Sequence, residues 1–467
     1  MIKEMTITGF RGYRLPTTIG FALPNGKPGS GYSVFVGANN AGKTTALEAI
    51  RYYKAPSSNI SFSEGKRNPN STSPSRVNIK YVSETNEEYE IKTVAEGGSQ
   101  VFIVGSPNTT MVPYLLQSRR YSDYEMHNPY ANQSRGDFVI NQMINSRNRS
   151  PNLSMYEQRI FRWREHKREF DIVLHQIICE PFDWLIEQNE NGTYYIKMIF
   201  ADGSISHARE GVGDGYWCAF TIADALYDSS PGSIIAIDEP ELSLHPSMRK
   251  RVMKLFETYS QDRQIIVATH SQYFISFVAI ENGGSVIRFS KNGSGDILIG
   301  AIDDEDRDFI KSIQLDIFNP HVLGLKAKEL FFSEEDFIIT EGQEDVIIMP
   351  KICNKIGLSF DIDFFGWGAG GAGNIKKILH MLSNLNYRKI TAIYDGDKQV
   401  EYDECKNAFP QYNIQILPAD DIRDKEEYHR NAKVGVVNDA FEIKADLEDQ
   451  FRMLIENIKR YHDDITP

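Results

Sequence analysis

Apolar residues punctuate the start of the chain at Ile2, Met5, Ile7 and Phe10, and a second apolar run, Tyr32 to Val36, leads into a glycine-rich turn. This pattern predicts strand, loop, strand, turn. Leu47, Ile50 and Tyr53 then recur at helical spacing within Thr44 to Tyr53, completing a strand, loop and helix unit. Pro56 to Arg76 is rich in Ser, Asn and Pro and predicts a surface loop; strand alternation resumes at Val77 to Val94. From Asn108 to about Glu190 the texture shifts to Arg, Asn, Tyr and Gln, with helical spacing in Tyr156 to Phe182, which predicts a mostly helical insertion. Strands follow at Tyr194 to Phe200, Ser233 to Ile237 and Gln264 to Thr269, with a helix over Arg249 to Tyr259, and these close a first core.

Asp303 to Lys328 is polar, contains Pro320 and reads as an irregular linker. Beyond it, expected strands at Asp336 to Thr340, Asp361 to Phe365, Ile390 to Tyr394 and Asn413 to Leu417 alternate with helical stretches such as Val346 to Ile356 and Ile375 to Leu385. That alternation predicts a second, smaller α/β domain, closed by an amphipathic helix over Ala445 to His462.

The length of 467 residues suits this division, since a domain takes ~150 residues. Hydrophobic residues at 41% and charged residues at 25% give an ordinary soluble balance. No stretch reaches the ~18 uninterrupted apolar residues of a membrane span, and Met1 to Phe10 lacks a signal-peptide core, so a cytoplasmic address and no membrane partner are expected. The net charge of −13 argues against a surface that coats nucleic acid throughout. Cys179, Cys218, Cys353 and Cys405 lack CxxC spacing, which suggests neither a zinc site nor a disulfide framework.

Gly37-Ala38-Asn39-Asn40-Ala41-Gly42-Lys43-Thr44 matches the phosphate-loop pattern in its proper context between a strand and a helix. Its glycines let backbone N–H groups wrap phosphates, Lys43 supplies a cation, and Thr44, followed by Thr45, offers a hydroxyl to Mg2+ at the positive helix terminus. The nucleotide site is thus expected at Gly37, Asn39, Asn40, Gly42, Lys43, Thr44 and Thr45. Ile234 to Ile237 runs into Asp238-Glu239, where Asp238 would hold the Mg2+ of ATP and Glu239 would orient and deprotonate the attacking water. A second acidic constellation comprises Glu341, after one expected strand, and Asp395-Gly396-Asp397, after another. Carboxylates at neighbouring strand ends gather hard divalent cations suited to phosphodiester chemistry.

The opening Ile-Thr-Gly-Phe-Arg-Gly, the GxNxxGKT loop, Asp238-Glu239-Pro240-Glu241 with Leu244-His245-Pro246, and Thr269-His270-Ser271 resemble the ABC-type ATPases of the SMC and RecF group. The resemblance implies that His270 is a switch residue near the γ-phosphate. It also implies that Glu210 to Gly215, with Gly213, stands where a signature loop serves a partner subunit's ATP, although the usual Ser-Gly-Gly start is absent. Phe332 to Leu417 resembles a Toprim domain, and the whole resembles the overcoming-lysogenisation-defect (OLD) nucleases. Carry-over from that family places metal ions on Glu341, Asp345, Asp395 and Asp397, with Glu341 as general base. The stretch Asp420 to Glu426 is either a source of a further ligand or a solvated loop, and the family's assisting lysine has three candidates, Lys425, Lys444 and Lys459. Gly366 to Asn374 reads as a tight strand-to-helix turn beside the metals in preference to a dinucleotide loop.

The expected fold class is α/β: an ABC/SMC-like P-loop ATPase domain with a mostly helical insertion, followed by a smaller α/β Toprim domain. The divisions are 1–107, ATPase with the phosphate loop; 108–190, insertion for dimerisation or DNA contact; 191–302, ATPase with signature loop, acidic strand end and switch histidine; 303–332, linker; and 333–467, Toprim nuclease. Arg147, Arg149, Arg159, Arg162, Arg164, Lys167 and Arg168 interleave with Tyr156, Phe161 and Trp163 in the insertion, either to hold DNA or as an ordinary charged helix face. The resemblance implies a homo-oligomeric endonuclease using ATP and Mg2+ or Mn2+ on DNA in antiphage defence, with a retron reverse transcriptase and its RNA-linked DNA, or another defence protein, as partner. The rival is an ATP-driven sensor or scaffold whose Toprim part binds without cutting.

Overall fold

The computed structural model describes residues 1–53, 60–71, 76–94, 100–105, 113–116, 166–188, 190, 194–200, 205–207, 212–314, 331, 336–358, 362–425, 432–438 and 440–463. Its central sheet has six strands in the order Ile297–Ala301, Ser285–Lys291, Tyr32–Gly37, Gln264–Ala268, Ile234–Asp238 and Tyr114–Leu116. Every neighbouring pair is parallel except the first. The strands Gln264–Ala268 and Ile234–Asp238 are buried throughout, and Tyr32–Gly37 is buried up to its last residue. Burial on both faces explains why these sequences read as nearly unbroken apolar runs. Parallel strands discharge at one edge, so Gly37, Asp238 and Thr269 leave the sheet side by side.

The helix Lys43–Arg51 shares one core with this sheet and with an antiparallel sheet ordered Thr17–Gly20, Ile2–Thr8, Asn78–Ser83, Glu88–Thr93 and Val101–Val104. Tyr81 fixes that packing by donating from its buried hydroxyl to Ala49 O at 2.7 Å. Of the expected insertion 108–190, residues 117–165 lie outside the described residues, and with them Arg147, Arg149, Arg159, Arg162 and Arg164. What is described packs into the body around the central sheet. Tyr114–Leu116 extends the central sheet. The helix Lys167–Ile177 buries Phe170 against Trp184 and Phe220, at ring distances of 5.7 and 6.0 Å. Phe182–Gln188 joins Tyr194–Phe200 and Ile205–His207 in a third sheet.

The expected irregular segment from Asp303 is instead a helix over Asp304–Gln314. Asp303 Oδ1 accepts from Asp306 N at 2.9 Å while Asp306 Oδ2 accepts from Asp303 N at 3.1 Å, a reciprocal cap built from two carboxylates. Phe309 and Ile310 bury the helix's apolar side. Residues 315–330 and 332 of the expected linker, and 333–335 after it, lie outside the described residues. The second domain is a parallel sheet ordered Asp363–Phe364, Asp336–Ile339, Lys389–Tyr394 and Asn413–Ile416, with helices Gln343–Lys355, Ala372–Asn384, Gln399–Ala408 and Glu448–Asp463. A short parallel pair, Asp421–Arg423 with Gly435–Val437, stands beside it. Among the described residues no helix is long and apolar enough to cross a membrane.

Candidate functional sites

The phosphate loop is held open by its own backbone. Gly37 has φ 131°, and a Cβ there would lie 2.1 Å from Phe289 O, so only glycine fits. Gly42, at φ 105°, caps the helix Lys43–Arg51, and its carbonyl accepts from Tyr13 Oη at 3.0 Å. Asn39, Asn40 and Thr44 are exposed on the loop, while Thr45 is half-buried behind them. Lys43 is buried, donating to Gly37 O at 2.8 Å and Ala38 O at 3.0 Å. Burial lowers its ammonium to about 8 against the opposing pull of Asp238, Glu239 and Glu241.

Asp238 meets the loop from the neighbouring strand end, accepting from Thr44 Oγ1 at 3.1 and 3.3 Å. Its carboxyl is pushed up to about 6, by burial first. Glu239 adopts φ 50°, uncommon for a residue with a Cβ, and its Oε2 is buried without a hydrogen-bond partner. A strained residue bearing an unsatisfied acceptor fits a ligand-directed role. Glu241 ties the strand end to the switch segment by accepting from Thr269 Oγ1 and His270 N, each at 2.7 Å. His270 is thereby placed at this edge, with its residue exposed. Gly213 caps the helix Asp214–Asp228, with open space where a Cβ would stand; Glu210 and Gly211 of the expected signature loop lie outside the described residues.

In the second domain, Glu341 and Asp395 leave the two central strands side by side, and Glu341 Oε1 accepts from Asp395 N at 3.0 Å. Asp345, in the first turn of the following helix, accepts from Gly342 N at 3.0 Å. Asp345, Asp395 and Asp421 are all buried and bring one carboxylate oxygen each within 4.8 Å of one another. Burial and mutual repulsion push Asp395 up to about 8 and Asp345 up to about 7, and burial raises Glu341. Such crowding is costly without a cation, and an all-oxygen donor set suits Mg2+ or Mn2+. Asp397 is more open. Burial raises it, but Lys433 and Lys398 outweigh this and hold it below the usual carboxylate range. The glycine-rich turn seats this edge: Gly371 N donates to Glu341 O at 3.0 Å, and a Cβ on Gly368 would lie 2.6 Å from Gly342 C.

Asp421 emerges as a member of the cluster, on the short strand Asp421–Arg423. Lys433, which sequence reasoning missed, lies 2.9 Å from Asp397 Oδ2, 3.5 Å from Asp421 Oδ2 and 3.6 Å from Asp395 Oδ2. Reciprocal backbone bonds of 3.0 and 3.1 Å to Lys425 bring it there. Of the three lysines raised from sequence, Lys425 reaches Asp421 at 2.6 Å and Glu344 at 3.1 Å, Lys444 pairs with Asp424 at 2.6 Å, and Lys459 lines a separate cleft with Leu358 and Glu456. Lys167 pairs with Asp171 and Asp183.

A mostly parallel sheet, a GKT loop capping a helix and a strand-end Asp on the loop threonine define a P-loop ATPase. Residues 1–156 match the "AAA ATPase domain" family, and residues 205–276 match "AAA domain, putative AbiEii toxin, Type IV TA system". The chain is 30% identical over 125 residues to the Old nuclease of Escherichia phage P2, bearing out the OLD resemblance read from the motifs. That match covers 27% of this chain and spans a fifth (20%) of the length of the relative. Similar solved structures include the SMC head domain from Thermotoga maritima, at 14% identity and TM-score 0.36, covering 65% of this chain and 99% of that one. Another is the Smc head with an extended coiled coil bound to the C-terminal domain of ScpA derived from Pyrococcus furiosus, at 16% identity and TM-score 0.42, covering 67% and 99%.

Proposed function

We propose that this chain is an ATP-regulated, divalent-metal-dependent endonuclease that cuts DNA phosphodiester bonds with a Toprim-type site. The observation that carries the reading is the convergence of buried Asp345, Asp395 and Asp421 beside Glu341, with Lys433 over them. Mg2+ or Mn2+ bound there supplies electrostatic activation of the phosphate and of water. Glu341, its carboxyl raised by burial, accepts the water's proton, Asp397 would help hold the cation, and Lys433 orients the phosphate from the open side. Thr44 and Asp238 would hold the nucleotide's Mg2+, Glu239 would orient the water that attacks ATP, and His270 would sense the γ-phosphate from the same edge. Two chains sandwich nucleotide, with the Gly213 loop of one serving the other. The cellular role is antiphage defence, in which a retron reverse transcriptase with RNA-linked DNA is one partner class.

The test is nicking of supercoiled plasmid in Mg2+ or Mn2+. Glu341→Ala and Asp395→Ala each lower the rate by about a hundredfold or more. Nicking by both variants at the wild-type rate would refute the site.

A further inference from the structure

The strand Ser285–Lys291 touches both the phosphate loop and the second domain. Its Phe289 is registered with Gly37, and the Phe289 carbonyl occupies the space a Cβ on Gly37 would need, so the root of the phosphate loop is packed directly on this strand. The preceding residue, Arg288, is 5% exposed. Side chains alternate along a strand, so Arg288 leaves on the other face, toward the second domain. There its Nη1 donates to Leu385 O and Asn386 O, each at 3.2 Å, and its Cζ lies 3.8 Å from the centroid of the Tyr387 ring. These carbonyls end the helix Ala372–Asn384, where a cation meets the negative end of the helix dipole.

Tyr387 links onward in two directions. It lies two residues before the strand Lys389–Tyr394, which delivers Asp395, and its ring packs edge-on at 5.5 Å against Phe337, on the strand that delivers Glu341. The contact is tight from the ATPase side as well. Gly300 is registered opposite Arg288, and a Cβ there would lie 2.5 Å from Asn384 O and 2.6 Å from Leu385 C.

We infer that Arg288 is a positioning residue that couples the nucleotide state of the phosphate loop to the alignment of Glu341 and Asp395. The inference rests on the ATP-regulated nuclease reading and names its route of regulation. A displacement of Gly37 moves Phe289, and with it Arg288; the buried guanidinium keeps its carbonyl and ring partners and so carries the Leu385–Tyr387 turn. Arg288 is not among the residues assigned to nucleotide or metal.

The experiment uses the full chain and measures plasmid nicking without nucleotide and with ATP, in a Glu239→Gln background that holds ATP, for wild-type Arg288, Arg288→Met, Arg288→Lys and Gly300→Ala. With Arg288 in place, ATP changes the nicking rate by about fivefold or more. Arg288→Met brings the ratio to about one with nucleotide-free nicking retained, and with ATP turnover retained when Glu239 is intact. Arg288→Lys restores part of the ratio, because an ammonium donates to the carbonyls but lacks the planar stack. Gly300→Ala leaves Arg288 in place, wedges the same turn and also reduces the ratio. A full ATP response in both Arg288→Met and Gly300→Ala overturns the inference alone. No ATP response with Arg288 intact overturns the regulated-nuclease reading and the inference with it.

Discussion

Neutralising one carboxylate of the buried cluster should make the protein more stable in the absence of metal. The Asp395 carboxyl is pushed from its ordinary 3.8 to about 8 by burial and by Asp345, Glu341 and Asp421. Between those values the native chain keeps a proton that the unfolded chain has released, so metal-free stability falls as pH rises from about 4 to about 8. At about 1.4 kcal/mol per unit, the accumulated loss at pH ~7 is about 4 kcal/mol if Asp395 bears it alone. Asp345 shares the cost through the same repulsion, so Asp395→Asn recovers about 2 kcal/mol. The assay is urea unfolding in chelator at pH ~6 and ~8. The variant should show the higher midpoint and the flatter pH dependence. Saturating Mn2+ should then reverse the order, since ligand at a hundred times Kd adds about 2.7 kcal/mol to a protein that binds it. A variant less stable than the wild type in chelator, or equally responsive to Mn2+, refutes the cluster as a metal site strained by its own charge.

Lys43→Ala removes the buried ammonium from the phosphate loop and should abolish ATP binding in a fluorescent-nucleotide titration, whereas Glu239→Gln should bind ATP and lower turnover by about a hundredfold or more. His380 lies 3.2 Å from Asp306, 3.7 Å from Glu305 and 3.9 Å from Asp303, and its imidazole is raised above its ordinary 6.5 by these carboxylates against the opposing effect of burial. The stabilisation is fully present below about 6.5 and is lost as pH rises through the raised native value. The difference in Tm between the wild type and His380→Gln should therefore be largest in acid and vanish in alkali.

What was legible in the sequence depended on whether chemistry and local structure coincide. Asp238 and Glu239 end a strand that is apolar throughout, so strand and site announce each other. Glu341 and Asp395 likewise follow strands that are largely apolar. Asp421 sits on a three-residue strand too short to show a period, amid acidic neighbours that are solvated in most proteins. Lys433 reaches the carboxylates only because its backbone pairs with Lys425, a contact that spacing does not encode. The helix Asp304–Gln314 reads as polar because its buried face rests on few apolar residues, and its cap uses Asp at both ends where a Glu or Gln is the usual partner.

Ser285–Lys291 was illegible for a more instructive reason. It is buried at every position but the last, yet it carries Arg288 and Ser290 where a strand of an isolated domain would carry apolar residues. A buried guanidinium is tolerated only where acceptors surround it, and those acceptors belong to a turn almost a hundred residues later. The break in the apolar pattern is therefore the mark of the second domain on the first. A single hydrophobic cluster also runs from Tyr32 and Ile265 through Phe309 to Ile378, Leu385 and Tyr387. With a shared core and a polar clamp between them, the two domains should lose structure together, so an ATPase fragment ending near residue 302 would expose Arg288 and the face that Leu385 and Tyr387 cover.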